Sequence, residues 1–145
     1  MKLYTIGFTK KSAEKFFGLI GEAQVSTLVD VRLNNVSQLA GFAKRDDLVF
    51  FLQRICGVSY AHRLDLAPTQ AMLDGYRKKR QTWDEYEQEF LKLIADRRVE
   101  AQVPRELIDN AVLLCSEDRP HHCHRRLVAE YFTNHWPDIT ISHLV

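Results

Sequence analysis

Two short apolar runs, Thr27–Val31 (TLVDV) and Ala111–Cys115 (AVLLC), constrain the fold more than anything else in this chain. Both read as strands, and the β-branched first run suits a strand buried on both faces. Strands of that kind belong to parallel sheets, which need crossover connections and are covered by helices.

The rest of the chain supplies those helices. Lys2–Ile6 is a short strand stopped by Gly7, and Ser12 opens an amphipathic helix carrying Phe16, Phe17, Leu19 and Ile20 that Gly21 should end. A polar loop, Leu33–Arg45, follows the Thr27–Val31 strand. Asp46 and Asp47 are expected to cap a helix through Leu48, Phe51, Leu52 and Ile55, with Gly57 as its left-handed stop. Val58–His62 reads as another short strand. Pro68 suits the first turn of a helix carrying Met72, Leu73 and Tyr76. Thr82-Trp83-Asp84-Glu85 matches a capping box ahead of Tyr86, Phe90, Leu93 and Ile94. Pro104 starts a brief helix, Arg125–Trp136 is a helix, and Ile139–His143 is the last strand. The pattern predicts a single α/β domain: a mainly parallel sheet of about five strands in three layers, with the helical segment 68–106 as a subdomain or lid.

A chain of 145 residues can bury roughly two-thirds of its unfolded surface in one domain. Its formal charge of +1 gives no global attraction to nucleic acid or anionic membrane, so any basic patch must be local. No run of about 20 apolar residues is present to span a bilayer, and residues 1–20 lack a signal-peptide core. Three irregularly spaced cysteines make no disulfide framework. Free thiols in a reducing cytosol are therefore expected.

Ligands of open parallel sheets bind where the carboxyl ends of strands meet loops, and three such ends carry unusual residues. Thr5 and Gly7 offer a hydroxyl and a close backbone approach, or simply a strand stop. Asp30 and Arg32 offer a guanidinium oriented by a carboxylate, or a structural pair. The third end, CSEDRPHHCHRR, places Cys115, Glu117, Cys123, His124 and Arg125 around a helix start. Cations there oppose the helix dipole, a conflict that a bound anion would resolve. The alternative is that Glu117 and Asp118 neutralise the arginines while Arg126 and Glu130 form an i,i+4 pair.

Beside those bases Cys123 is placed for a lowered thiol pKa, and Glu117 or His124 for proton transfer. Cys115, ending a buried strand, reads first as a small apolar residue. The Cys-x7-Cys-His spacing lacks the short pairs of most structural zinc sites, so no metal ligands are assigned and a zinc module stands as a third reading. No cofactor is indicated. Arg77–Arg80 with Arg97 and Arg98 supports a rival, non-catalytic nucleic-acid-binding reading.

Thr5-Ile6-Gly7, Val29-Asp30-Val31-Arg32, Leu114-Cys115-Ser116-Glu117, Pro120, Cys123-His124-Arg125 and Ala129-Glu130 together resemble the domain of unknown function 488 family. After the Asp-Val-Arg element this chain reads Leu33–Phe42, without the Pro- and Ser-containing loop of many members. The resemblance implies an α/β fold in a cytosolic bacterial or archaeal setting and supplies no reaction. In layout alone the chain is also similar to rhodaneses and cysteine phosphatases, although the loop lengths differ. The leading expectation is a small anionic ligand, phosphorylated or nucleotide-like, held by Arg32 and Arg125 beside Cys123.

Overall fold

A computed structural model of the protein describes residues 1–36, 41–117 and 120–145. Residues 37–40 of the polar loop, and Asp118 with its proposed neutralising role, lie outside the described residues.

Five parallel strands form one sheet in the order β3-β2-β4-β1-β5. They are β1 (Lys2–Gly7), β2 (Thr27–Asp30), β3 (Ser59–His62), β4 (Ala111–Cys115) and β5 (Thr140–Leu144). Between them lie α1 (Ala13–Ala23), α2 (Arg45–Phe51), α3 (Gln70–Arg77), α4 (Trp83–Asp96), the short α5 (Val99–Gln102) and α6 (Arg105–Ile108), and α7 (His124–His135). This is the α/β architecture that the alternation of signals predicts. Among the described residues no helix is long and apolar enough to cross a membrane.

The central strand β4 explains why its sequence is continuously apolar. Val112 and Leu114 pack with Phe16, Phe17, Ile20, Leu48 and Leu52 on the α1 and α2 face. Ala111, Leu113 and Cys115 pack with Phe90, Ile94, Leu127, Val128 and Phe132 on the α4 and α7 face. A period of two with an apolar partner on each side leaves no polar position. Segment 68–106 joins that second face, contributing Met72, Tyr86, Phe90, Ile94, Val99 and Val103 to its core.

Several boundaries fall differently from the sequence reading, each for a local reason. Gly21 lies inside α1, which stops instead at Gln24 in the left-handed region (φ 54°); an interior glycine costs only about 1 kcal/mol, too little to end a well-buried helix. Asp46 and Asp47 sit in the first turn of α2, whose N-cap is Lys44 with no side-chain hydrogen bond. They act there on the helix dipole rather than as caps. A π turn, Leu52–Cys56, continues α2 before Gly57 stops it at φ 65° as expected. Pro68 precedes α3, which is capped by Thr69. The Thr82–Glu85 capping box is present, with both reciprocal hydrogen bonds.

Strand order creates one special place. The chain leaves β1 across β4 towards β2, but leaves β4 across β1 towards β5, so these two neighbours send their connections in opposite directions. Their carboxyl ends, Gly7 and Cys115, are register partners. Such a switch point opens a crevice between the departing loops.

Candidate functional site

At that edge of the sheet a cleft of about 680 Å³ lies between the strand ends and the α3–α4 helices. Its floor includes Arg32, Cys115, Cys123 and His124, with Glu117 at the mouth. Tyr76, Trp83, Tyr86 and His122 form an aromatic wall, and Arg77 and Lys79 stand among its lining. In that wall Trp83 stacks on Tyr86 (5.2 Å between centroids) and on His122 (4.9 Å).

Arg32 is held with unusual completeness. Its Nε and Nη2 each donate to Asp30 at 2.8 Å, and its backbone N–H donates to the same carboxylate at 3.1 Å. Tyr60 on β3 donates its hydroxyl to Asp30 Oδ2 at 2.6 Å. Burial, then the adjacent Asp30, pushes the Tyr60 hydroxyl well above the ordinary tyrosine range, so it stays a donor. His62 Nε2 donates to the Arg32 carbonyl at 2.7 Å, and Asn35 bridges Tyr60 (2.9 Å) and His62 Nδ1 (3.2 Å). Phe8 lies under the guanidinium at 5.5 Å. After all this Nη1 of Arg32 is buried without a hydrogen-bond partner among the described residues. Asp30 therefore orients Arg32. Sequence reasoning missed Tyr60, His62 and Asn35; the only local signal was the polar alternation of Tyr60 and His62 in an otherwise plain strand.

Arg125 has a different surrounding. It is fully buried, does not line the cleft, and donates from Nη1 to the Glu117 carbonyl at 2.5 Å. Gly7 makes this possible: a Cβ there would stand 1.4 Å from the Glu117 oxygen and 2.7 Å from Arg125 Nη1. Thr5 is also buried, and its hydroxyl meets His143 Nδ1 at 2.6 Å, away from the cleft. Gly7 and Arg125 thus support the loop and Thr5 ties β1 to β5, whereas Arg32, Cys115, Glu117, Cys123 and His124 converge on the cleft.

The bases crowded at the α7 start find partners within the protein or are uncharged. Burial, with help from the Arg125 charge, lowers the His124 pKa to about 4, so the imidazole is neutral. Arg126 turns to Glu130 (3.0 Å) and Glu87 (3.6 Å), so the i,i+4 pair is present. Arg125 donates to the backbone oxygen of Glu117.

The expectation of three free thiols is corrected. The sulfurs of Cys115 and Cys123 are paired as a disulfide, with Cα atoms 7.2 Å apart, and Cys56 alone is free. Cys123 is buried and caps α7 without a side-chain hydrogen bond, because its sulfur faces Cys115 across the loop. His124 Nδ1 lies 3.5 Å from the Cys115 sulfur, while Nε2 donates to the Val31 carbonyl at 2.7 Å.

Of the basic segments, Arg97 directs Nη1 to the carbonyls of Asp65 (3.0 Å) and Ala67 (2.7 Å). Lys78 and Arg80 are exposed at the end of α3.

A family model described as Domain of unknown function DUF488 matches residues 12–132, a range that holds the Asp30–Arg32 and Cys115–Arg125 elements but begins after Thr5 and Gly7. No curated protein and no solved structure matches the chain.

Proposed function

The chain belongs to the domain of unknown function 488 family, and from that premise we propose that it binds a small phosphorylated aromatic metabolite, of nucleotide type, in the cleft at the carboxyl edge of its sheet. The observation that carries this reading is Arg32: a buried guanidinium fixed by Asp30, on the cleft floor, with one nitrogen lacking a partner among the described residues. An N–H in that position gains a charge-assisted hydrogen bond when a phosphate oxygen arrives, and the fixed side chain loses little freedom on binding. The volume of about 680 Å³ suits a metabolite of nucleotide size. Tyr76 and His122, the latter backed by Trp83, offer rings on which a base stacks, and Arg77 and Lys79 balance further phosphate charge.

Binding is favoured over thiol catalysis because the Cys123 sulfur is taken up by Cys115. Calorimetry with ADP, adenosine and inorganic phosphate tests the reading. ADP should bind more tightly than either fragment. Arg32→Lys, which keeps the charge but loses the fork, should weaken ADP by about 10-fold or more. Trp83→Ala should weaken it by roughly 5- to 100-fold. Absence of heat with ADP, or an Arg32→Lys affinity within about twofold of the parent, would remove the proposal.

A further inference from the structure

We infer that the reduced protein holds a thiophilic divalent cation, zinc in the simplest case, on Cys115, Cys123 and His124, with a fourth coordination position turned to the cleft. The ligand atoms of these three residues all lie within 4.8 Å of one another. All three residues are buried, and all three line the cleft. Two sulfurs and one imidazole select a borderline-soft ion over magnesium or calcium, which take oxygen ligands.

His124 is arranged as a ligand is arranged. The Val31 carbonyl can only accept, so Nε2 carries the hydrogen and Nδ1 keeps its lone pair, facing the Cys115 sulfur. A histidine whose second nitrogen donates to a backbone carbonyl has its ring orientation and tautomer fixed for metal binding. Backbone spacing agrees: the Cα atoms of Cys115 and Cys123 are 7.2 Å apart, whereas disulfides usually span about 4.4–6.8 Å. Two sulfurs each about 2.3 Å from a shared ion sit farther apart than two bonded ones.

Charge also agrees. A dication with two thiolates and a neutral imidazole carries no net charge, which suits a buried position in the cleft that Arg32 also lines. Disulfide and metal site are alternative states of the same sulfurs. A thiol or phosphine reductant supplies two electrons, two protons complete the thiols, and the arriving ion displaces both thiol protons as its two sulfur bonds form. Three protein ligands leave one tetrahedral position open, as in zinc sites that take water or substrate. The inference is independent of the nucleotide reading, since it concerns the ion alone.

The test is a cobalt(II) titration of the full chain, reduced with a phosphine under nitrogen. One equivalent should develop a thiolate-to-cobalt charge-transfer band and the visible bands of a tetrahedral ion, both discharged by zinc. Cys115→Ser and Cys123→Ser should each weaken the charge-transfer band and the double variant should lose it, His124→Gln should weaken binding by about 10-fold or more, and Cys56→Ser should leave everything unchanged. Thiol protection reads the same site in the parent chain, so a variant that fails to fold does not decide the matter. Relative to the reduced, metal-free chain, one equivalent of zinc should slow maleimide labelling of Cys115 and Cys123 and leave that of Cys56 unchanged. Absence of a charge-transfer band, its undiminished survival in Cys115→Ser or Cys123→Ser, or labelling of Cys115 and Cys123 that zinc does not slow would overturn the inference.

Discussion

Arg32 and Arg125 stand at the same edge of one sheet, both buried, yet their surroundings give them opposite tasks. Arg32 is clamped from behind by Asp30, Tyr60 and His62 and keeps one nitrogen without a partner among the described residues. Arg125 reaches back over Gly7 to the Glu117 carbonyl and lies outside the cleft lining. A buried guanidinium held by a carboxylate has its charge balanced and can still present an N–H. One directed at a backbone oxygen stabilises the loop it bridges. Residue type at a strand end therefore does not identify a ligand contact; what lies behind the side chain does.

The contrast is most easily broken at Asp30. Asp30→Ala leaves a buried, uncompensated guanidinium and should lower unfolding free energy by about 3–5 kcal/mol in urea titrations. Because it also releases Arg32, ADP affinity should fall with it. Stability within about 1 kcal/mol of the parent would show that Arg32 does not depend on this pair.

Acid acts on the β4–α7 loop most, with a smaller contribution of the same sign from His143 on β5, whose pKa burial also lowers. An unfolded histidine titrates near 6.5, whereas burial holds folded His124 at about 4. Between those values the unfolded chain takes up a proton that the folded chain refuses. Stability should thus be level above about pH 6.5 and fall towards pH 4 by roughly 3 kcal/mol at most. Urea titrations of chelator-treated protein at stepped pH should show this slope, and His124→Gln should remove most of it. An identical slope in the variant would place the acid sensitivity elsewhere.

The smallest effect sharpens the comparison most. Arg125→Met removes the donor to the part-buried Glu117 carbonyl and should cost about 2 kcal/mol, in the range for a hydrogen bond made by a charged group. ADP affinity should stay within about threefold, unlike that of Arg32→Lys. A larger loss of affinity would bring Arg125 into the binding site and erase the distinction.

Much of the architecture was legible because its signals are local. The capping box at Thr82 and Glu85, the left-handed stop at Gly57 and the two apolar strands act within a few residues, and each appears where its chemistry requires. Gly21 and Pro68 misled because a weak local preference yields to burial of the surrounding helix face or to a better cap next door. At the site, the sequence named the residue types at the three strand ends but could not rank them. His124 looked like a cation until burial made it neutral, and Cys123 looked like an isolated thiol until the loop brought it onto Cys115.

The amino-acid sequence by itself determined the alternation of strands and helices, the family, and the placing of Asp30, Arg32, Cys115 and Cys123 at strand ends and a helix start. Tertiary structure alone decided that β4 lies between β1 and β2, and with it that Cys115 meets His124, that Tyr60 and His62 secure Arg32, and that Arg125 turns away from the cleft. The reason is physical: propensity and capping act over a turn of chain, whereas charge state, hydrogen-bond partner and access depend on which distant segments exclude water together.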